Sequence, residues 1–251
     1  MRAGSPLLEC RGVTKRFYAY EHRMTSLQEF VTRRLTRNGE KPVPKFHLAG
    51  IDIRVDRDES VALIGANGSG KSTVLRLMAG IYPPTEGQVI QNGRVVPIIE
   101  LGSTFQPSLT GAENVLLYAA ALGMNRREVH DQMDGIFGFA GVEEFRDVQL
   151  KYYSSGMKSR LAFSIASCAR ADVLLLDEIL AVGDAEFRDR CIERLHAFRE
   201  TGGAMVVVSH DLFQVRELCT RAIWLEHGRV REEGPVEQIT YAYEASALAA
   251  T

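Results

Sequence analysis

The chain has 251 residues, 45% of them hydrophobic, enough for one large domain with a sizeable core. Lys and Arg number 30 against 32 Asp and Glu, a net charge of −2 that lacks the basic footprint of a nucleic-acid partner, so no nucleic acid is expected. The four cysteines (Cys10, Cys168, Cys191, Cys219) form no C-x-x-C pair and read as buried free thiols, and no apolar run reaches the ~18–20 residues of a membrane helix.

Met1 to Pro6 shows no signal-peptide pattern and leads directly into a strand-like segment, Leu7 to Phe17. Within residues 22–45, Leu27, Phe30, Val31 and Leu35 fall on one face of a helix whose surroundings are basic (Arg23, Arg33, Arg34, Arg37, Lys41, Lys45). Asn38-Gly39 and the prolines 42 and 44 end it. Such a helix suits a membrane interface or an ordinary packed surface, and composition leaves both readings open. Strand-like Leu48–Val55 follows.

Val61-Ala-Leu-Ile-Gly-Ala-Asn-Gly-Ser-Gly-Lys-Ser-Thr73 is an apolar strand, a glycine-rich turn and the start of a helix (Val74, Leu75, Leu77, Met78). The spacing Gly65-x-x-x-x-Gly70-Lys71-Ser72 is that of a phosphate-binding P-loop. Consecutive backbone N–H groups, here from Asn67, Gly68, Ser69, Gly70 and Thr73 among others, converge on an anion at a helix N-terminus. Lys71 brings a point charge for the β- and γ-phosphates of a nucleoside triphosphate, and the Ser72 hydroxyl is suited to ligate Mg²⁺.

Residues 87–101 alternate short apolar runs around Asn92-Gly93, a hairpin-type signal. Thr110-Gly-Ala-Glu113 fits a capping box, and helical patterning continues to about residue 169. Tyr153-Ser-Ser-Gly-Met157 precedes the last of these helical runs, Lys158 to Arg170; a Ser-Gly turn at that helix N-terminus is a second anion site, separate from the P-loop. Because the chain's own phosphates are already cradled, that second site is expected to serve the γ-phosphate held by a neighbouring molecule. Val173-Leu-Leu-Leu-Asp177-Glu178 is an apolar strand ending in two acids: Asp177 to hold Mg²⁺, Glu178 to polarise the attacking water. Asp184 closes a tight turn and by itself reads as a helix N-cap. Val206-Val-Val-Ser209-His210 ends the next apolar strand in a histidine, read as a γ-phosphate contact or proton-shuttle partner. A hairpin around His227-Gly228 and a short helix from Pro235 complete the chain.

Gly65–Thr73, Tyr153–Met157, Leu174–Glu178, Asp184 and His210 together resemble the Walker A, signature, Walker B, D-loop and switch-histidine elements of ABC ATPases, over nearly the whole chain. The resemblance implies an α/β P-loop NTPase core sheet with helices, a small antiparallel β subdomain and a helical signature subdomain. The expected division is a single domain over 1–251: a nucleotide-binding core at 7–109 and 170–234 with the 22–45 insertion, the helical subdomain at 110–169, and a C-terminal helix at 235–251. It further implies ATP and Mg²⁺, and a homodimer in which each ATP lies between one copy's P-loop and the other's Ser154, Ser155 and Gly156, with Asp184 nearby. An aromatic is expected on adenine, Phe17 by position, with Tyr18 and Tyr20 as alternatives. The chain departs from the usual Leu-Ser-Gly-Gly-Gln signature at Ser155 and Met157, and Met157 is given no nucleotide contact. The Q-loop residue, a further metal contact, is either Glu100 or Gln106, with Glu100 the positional equivalent.

The Tyr-Ser-Ser-Gly-Met spelling, the Glu-Leu-Gly turn at 100–102, Leu109-Thr-Gly-x-Glu-Asn114 and the 22–45 insertion resemble the ATPases of polysaccharide exporters for O-antigen chains and wall teichoic acid. That resemblance implies a peripheral subunit at the cytoplasmic face of a bacterial inner membrane, two copies beneath a separate transmembrane permease that moves a lipid-linked polysaccharide. Leu27–Leu35 would lie at the channel entrance. The chain ends soon after Tyr243, so a subtype without a carbohydrate-binding domain is expected. The alternatives are the ATPase of another exporter, for drugs or lipids, and a soluble ABC-type ATPase, which the missing heptads and tandem cassette disfavour.

Overall fold

The computed structural model describes residues 5–19, 43–99, 102, 104–178 and 184–249. Tyr20, the Leu27–Leu35 segment, Glu100 and most of the turn before Asp184 lie outside the described residues, as does the side chain of Tyr18.

Two sheets carry the fold. The first is antiparallel, in the order β2-β1-β4, built from β1 (Leu8–Ala19), β2 (Val43–Val55) and β4 (Glu86–Gln91). The second has the order β5-β6-β7-β3-β8-β9. Its members are β3 (Ser60–Ile64), β5 (Val95–Ile98), β6 (Val173–Asp177), β7 (Ala204–Val208), β8 (Arg221–Glu226) and β9 (Arg229–Pro235). All its pairings are parallel except β8 with β9, which form a hairpin.

The central strands are short and apolar apart from Ser60 at the start of β3 and Asp177 at the end of β6, because both faces are covered. Alternation then sorts successive side chains into two cores. Val61, Leu63, Val173, Leu175, Val206 and Ile223 face the antiparallel sheet and helix α1 (Lys71–Met78). Ala62, Ile64, Leu174, Leu176, Val207 and Trp224 face the remaining helices. Each Leu or Ile fully buried in either layer contributes about 1.5–3 kcal/mol.

Asn92-Gly93 does not join a hairpin. β4 pairs with β1 in one sheet, whereas β5 pairs in parallel with β6 in the other. The turn's donors serve neighbours instead of closing on each other: Asn92 and Gly93 N–H both donate to Leu7 O (2.9 and 3.1 Å), and Arg94 N–H donates to Asp172 Oδ2 (2.8 Å). Gly93 is required by close approach, since a Cβ there would meet Asp172 Cβ at 2.8 Å. The apolar side chains of β5, with Val96 and Ile98 buried, are satisfied only in the larger sheet.

Between β5 and β6 run α2 (Gly111–Ala121), α3 (Arg126–Ala140) and α4 (Ser155–Cys168), with two single 3₁₀ turns between α3 and α4. Their starts are chemically marked. Thr110 with Glu113, and Asn125 with Glu128, form full capping boxes, and Ser154 Oγ accepts from Met157 N–H at 3.1 Å. Each such cap is worth ~1 kcal/mol. Ser164 Oγ on α4 donates to Ile136 O on α3 at 2.6 Å, a buried bond that holds the pair. α5 (Ala185–Glu200) and α6 (Leu212–Leu218) follow β6 and β7, and α7 (Val236–Ala249) is 14 residues long, more than the short helix expected from Pro235.

Candidate functional site

β6, β7 and β3 are adjacent and parallel, so their carboxyl ends share one edge of the sheet. In such sheets ligands gather at that edge. Register fixes the alignment: Leu63 and Asp177 both pair with Val208. The P-loop leaves β3, Asp177 and Glu178 end β6, and Ser209-His210 follow β7.

The P-loop conformation depends on its glycines. Gly65 has φ 143°, and a Cβ there would sit 2.1 Å from Leu225 O of β8. Gly70 caps α1 at φ 111° with no side-chain cap, and no acid lies in the first turn. The free first-turn N–H groups and the helix dipole therefore form an anion site. Lys71 Nζ folds over the loop, donating to Gly65 O at 2.8 Å and Ala66 O at 3.1 Å. Burial pushes the Lys71 pKa down, and the Glu178 and Asp177 carboxylates pull it back.

Ser72 Oγ donates to Asp177 Oδ1 at 3.3 Å. Burial raises the Asp177 pKa above its ordinary value, partly offset by that bond. These two hard oxygen donors suit Mg²⁺, which is held by few protein ligands together with phosphates and water. No cluster of three or more His, Cys, Asp or Glu that could cage a metal alone exists among the described residues. Glu178 takes a positive φ of 51° directly after the strand, and its Oε1 lies 2.8 Å from His210 Nε2. Asn67, Gly68, Gly70, Lys71, Ser72, Thr73, Glu178 and His210 line one cleft of about 270 Å³.

Other expected site residues stand elsewhere. Ser154 caps α4, and Ser155 and Gly156 begin it; none lines the cleft. A Cβ on Gly156 would meet only Ser154 Oγ, at 3.9 Å, so the chain's own packing does not demand a glycine. Met157 packs against the core. Asp184 is the N-cap of α5, accepting from Phe187 N–H at 2.9 Å, and lies 3.7 Å from Arg160 of α4. Phe17 does not line the cleft either. Its ring meets Tyr82 edge-on at 5.7 Å, with Lys15 Nζ over both rings. Tyr82 is a partner that sequence reading missed, because nothing in its local pattern marks a contact 65 positions away. Ser69 is 5% exposed and its Oγ has no hydrogen-bond partner. Gln106 is exposed, and its backbone is gripped by Asn114.

A Walker-type cleft at the carboxyl edge of a parallel sheet, with an acid pair and a strand-end histidine, defines a P-loop nucleoside triphosphatase. The chain belongs to the ABC transporter family, whose sequence model matches residues 48–181. It is 40% identical over 243 residues to the O-antigen export system ATP-binding protein RfbB of Klebsiella pneumoniae, covering 95% of this chain and 98% of that one. It is also 40% identical over 197 residues to the teichoic acids export ATP-binding protein TagH of Listeria monocytogenes, 78% of this chain but 58% of TagH. Among solved structures, an ATP-binding subunit of an ABC transporter superposes with TM-score 0.74 at 23% identity, covering 95% of this chain and 93% of the other. A dimeric ATP-binding cassette bound to ADP and Pi superposes with TM-score 0.72 at 22% identity, over 91% and 98%. These likenesses establish the α/β ABC ATPase fold, and the family makes the chain an ATPase. Among the described residues no helix is long and apolar enough to cross a membrane.

Proposed function

We propose that this chain is the ATP-hydrolysing subunit of a bacterial exporter of lipid-linked polysaccharide, of O-antigen or teichoic-acid type. The observation that carries the cargo is the 40% identity to an O-antigen export ATP-binding protein over almost the full length of both chains. The reading includes two copies of this chain on the cytoplasmic face of the inner membrane, beneath a separate permease.

In this reading the P-loop amides and Lys71 hold the phosphates of ATP. Lys71 Nζ leaves Gly65 O and Ala66 O for the phosphate oxygens, a short swing because the ammonium already overhangs the loop. Ser72 and Asp177 hold Mg²⁺, which when bound draws charge from the phosphate oxygens. Glu178 accepts a proton from the attacking water, and His210 orients the Glu178 carboxylate and reaches toward the γ-phosphate. Ser154, Ser155 and Gly156 of the second copy close over the same γ-phosphate, with Asp184 beside the interface. An open Gly156 surface and an α4 N-terminus without acids in its first turn support this role. Phe17, packed on Tyr82, is assigned to adenine.

The test is to purify the chain with whatever membrane protein it retains and to assay ATPase stimulation. A lipid-linked glycan is expected to stimulate turnover. Stimulation by drugs or phospholipids with no response to the glycan assigns the chain to another exporter class.

A further inference from the structure

Asn114, on the first turn of α2, is 0% exposed and spends its whole amide on one loop. Its Oδ1 accepts Gln106 N–H at 2.7 Å, and its Nδ2 reaches Gln106 O (3.0 Å), Leu109 O (3.2 Å) and Thr110 O (2.9 Å). A buried amide satisfied only by the backbone of one short segment fixes the shape of that segment. The same loop is bonded from its other side. Pro107 O accepts Lys151 N–H and Leu109 O accepts Leu150 N–H, both at 2.9 Å. Thr110 bridges Gln149, and Tyr153 Oη donates to Phe145 O at 2.6 Å. Only Tyr152 and Tyr153 separate Lys151 from Ser154. At its near end the loop follows β5, and Phe105 packs edge-on against Tyr118 of α2 at 5.5 Å.

A hydrogen-bonded frame thus runs from the segment after β5, through Asn114, to Tyr153, whose N–H donates to Leu150 O at 3.1 Å and which directly precedes the Ser154–Gly156 turn. We propose that Asn114 is a positioning residue for ATP turnover: by fixing residues 106–110 it holds the signature turn in register with the nucleotide of the neighbouring copy. The proposal rests on the reading of Ser154–Gly156 as half of that neighbour's site. Asn114 touches no nucleotide and acts only through the frame.

The test uses Asn114→Ala in the full chain, with Asn114→Asp as a second variant that keeps the side-chain shape and the acceptor for Gln106 while losing the three donations. Turnover is expected to fall at least tenfold while ATP affinity for the P-loop is unchanged. Amide hydrogen exchange is expected to quicken at Gln106 and also at Leu150, Lys151 and Met157, with α1 unaffected. Quickening confined to residues 106–110, unchanged turnover, or parallel loss of ATP affinity and turnover in both variants overturns the proposal. Gly156→Asp separates the two claims. If that variant keeps normal turnover, the two-copy reading of the turn fails, while the exchange pattern still decides whether Asn114 holds the frame.

Discussion

His210 Nε2 lies 2.8 Å from Glu178 Oε1, and neither side chain is buried: they are 50% and 54% exposed. The contact crosses from the end of β7 to the end of β6, so the orientation of the carboxylate depends on a histidine carried by a different strand. General bases contribute about 10²–10⁴-fold to rate. Glu178→Gln is therefore expected to bind ATP normally and lose at least ~100-fold in turnover. His210→Ala is expected to lose less, and the double variant less than the product of the two single losses, because His210 acts in part through Glu178. Steady-state hydrolysis with nucleotide titration reads all three; multiplicative losses would mean that the two act independently.

Two helix N-termini without acids in their first turns, at Gly70 and at Ser154, with only the first lining the cleft, predict an ATP-dependent dimer if the second serves a neighbouring copy as proposed. Glu178→Gln with ATP and Mg²⁺ is expected to elute at twice the monomer mass in size-exclusion chromatography, and to revert when Mg²⁺ is chelated. A monomer under both conditions would count against the shared site.

Asp177 carries a pH prediction with a definite sign. Burial holds its pKa above the ordinary carboxylate value. Between the unfolded and folded values the native state binds more protons than the unfolded one, so stability falls as pH rises through that window and stays lower at neutral pH. Asp177→Asn removes the desolvated charge. At neutral pH the nucleotide-free variant is expected to melt higher, since relieving one active-site conflict commonly returns ~0.5–2 kcal/mol. Below the window the gain should vanish. Mg²⁺-dependent hydrolysis is expected to collapse at every pH. Calorimetry from acid to neutral pH measures the first effect, and a variant that melts lower than the parent at neutral pH would contradict it.

The gathering of Lys71, Ser72, Glu178 and His210 in one cleft is legible in the chain because each piece is local. Gly65–Thr73, Val173–Glu178 and Val206–His210 are each a strand and the residues after it, and three parallel strands must end on one edge. Asp184 is equally readable, since an N-cap is written in the first turn it serves, whereas the helix that Ser154 caps starts at Ser155, three residues before the expected Lys158. What sequence could not carry was partner choice. Asn92-Gly93 has the spelling of a hairpin, yet Leu7 O takes both of its N–H groups and the flanking strands enter different sheets. Phe17 is a candidate by position alone, and its neighbour Tyr82 is set by packing between β1 and the segment after α1. Asn114 was visible as a motif letter, whereas its four bonds depend on where residues 106–110 fold back.

Two glycines with opposite surroundings provide the last prediction. Gly65 has φ 143°, and a Cβ there would lie 2.1 Å from Leu225 O, a backbone atom of a central strand that cannot give way. Gly65→Ala is expected to cost about 2–3 kcal/mol of stability and to lose ATP binding with it. Gly156 sits in the first turn of α4 with open space around it, so Gly156→Ala should leave stability within ~0.5 kcal/mol. Its turnover is nevertheless expected to fall roughly tenfold or more, because a methyl on that face displaces whatever docks there. Denaturant melts paired with hydrolysis rates separate the two substitutions. A Gly156→Ala protein with full activity would mean that nothing approaches this turn closely, and the small residues of the signature would then need another explanation.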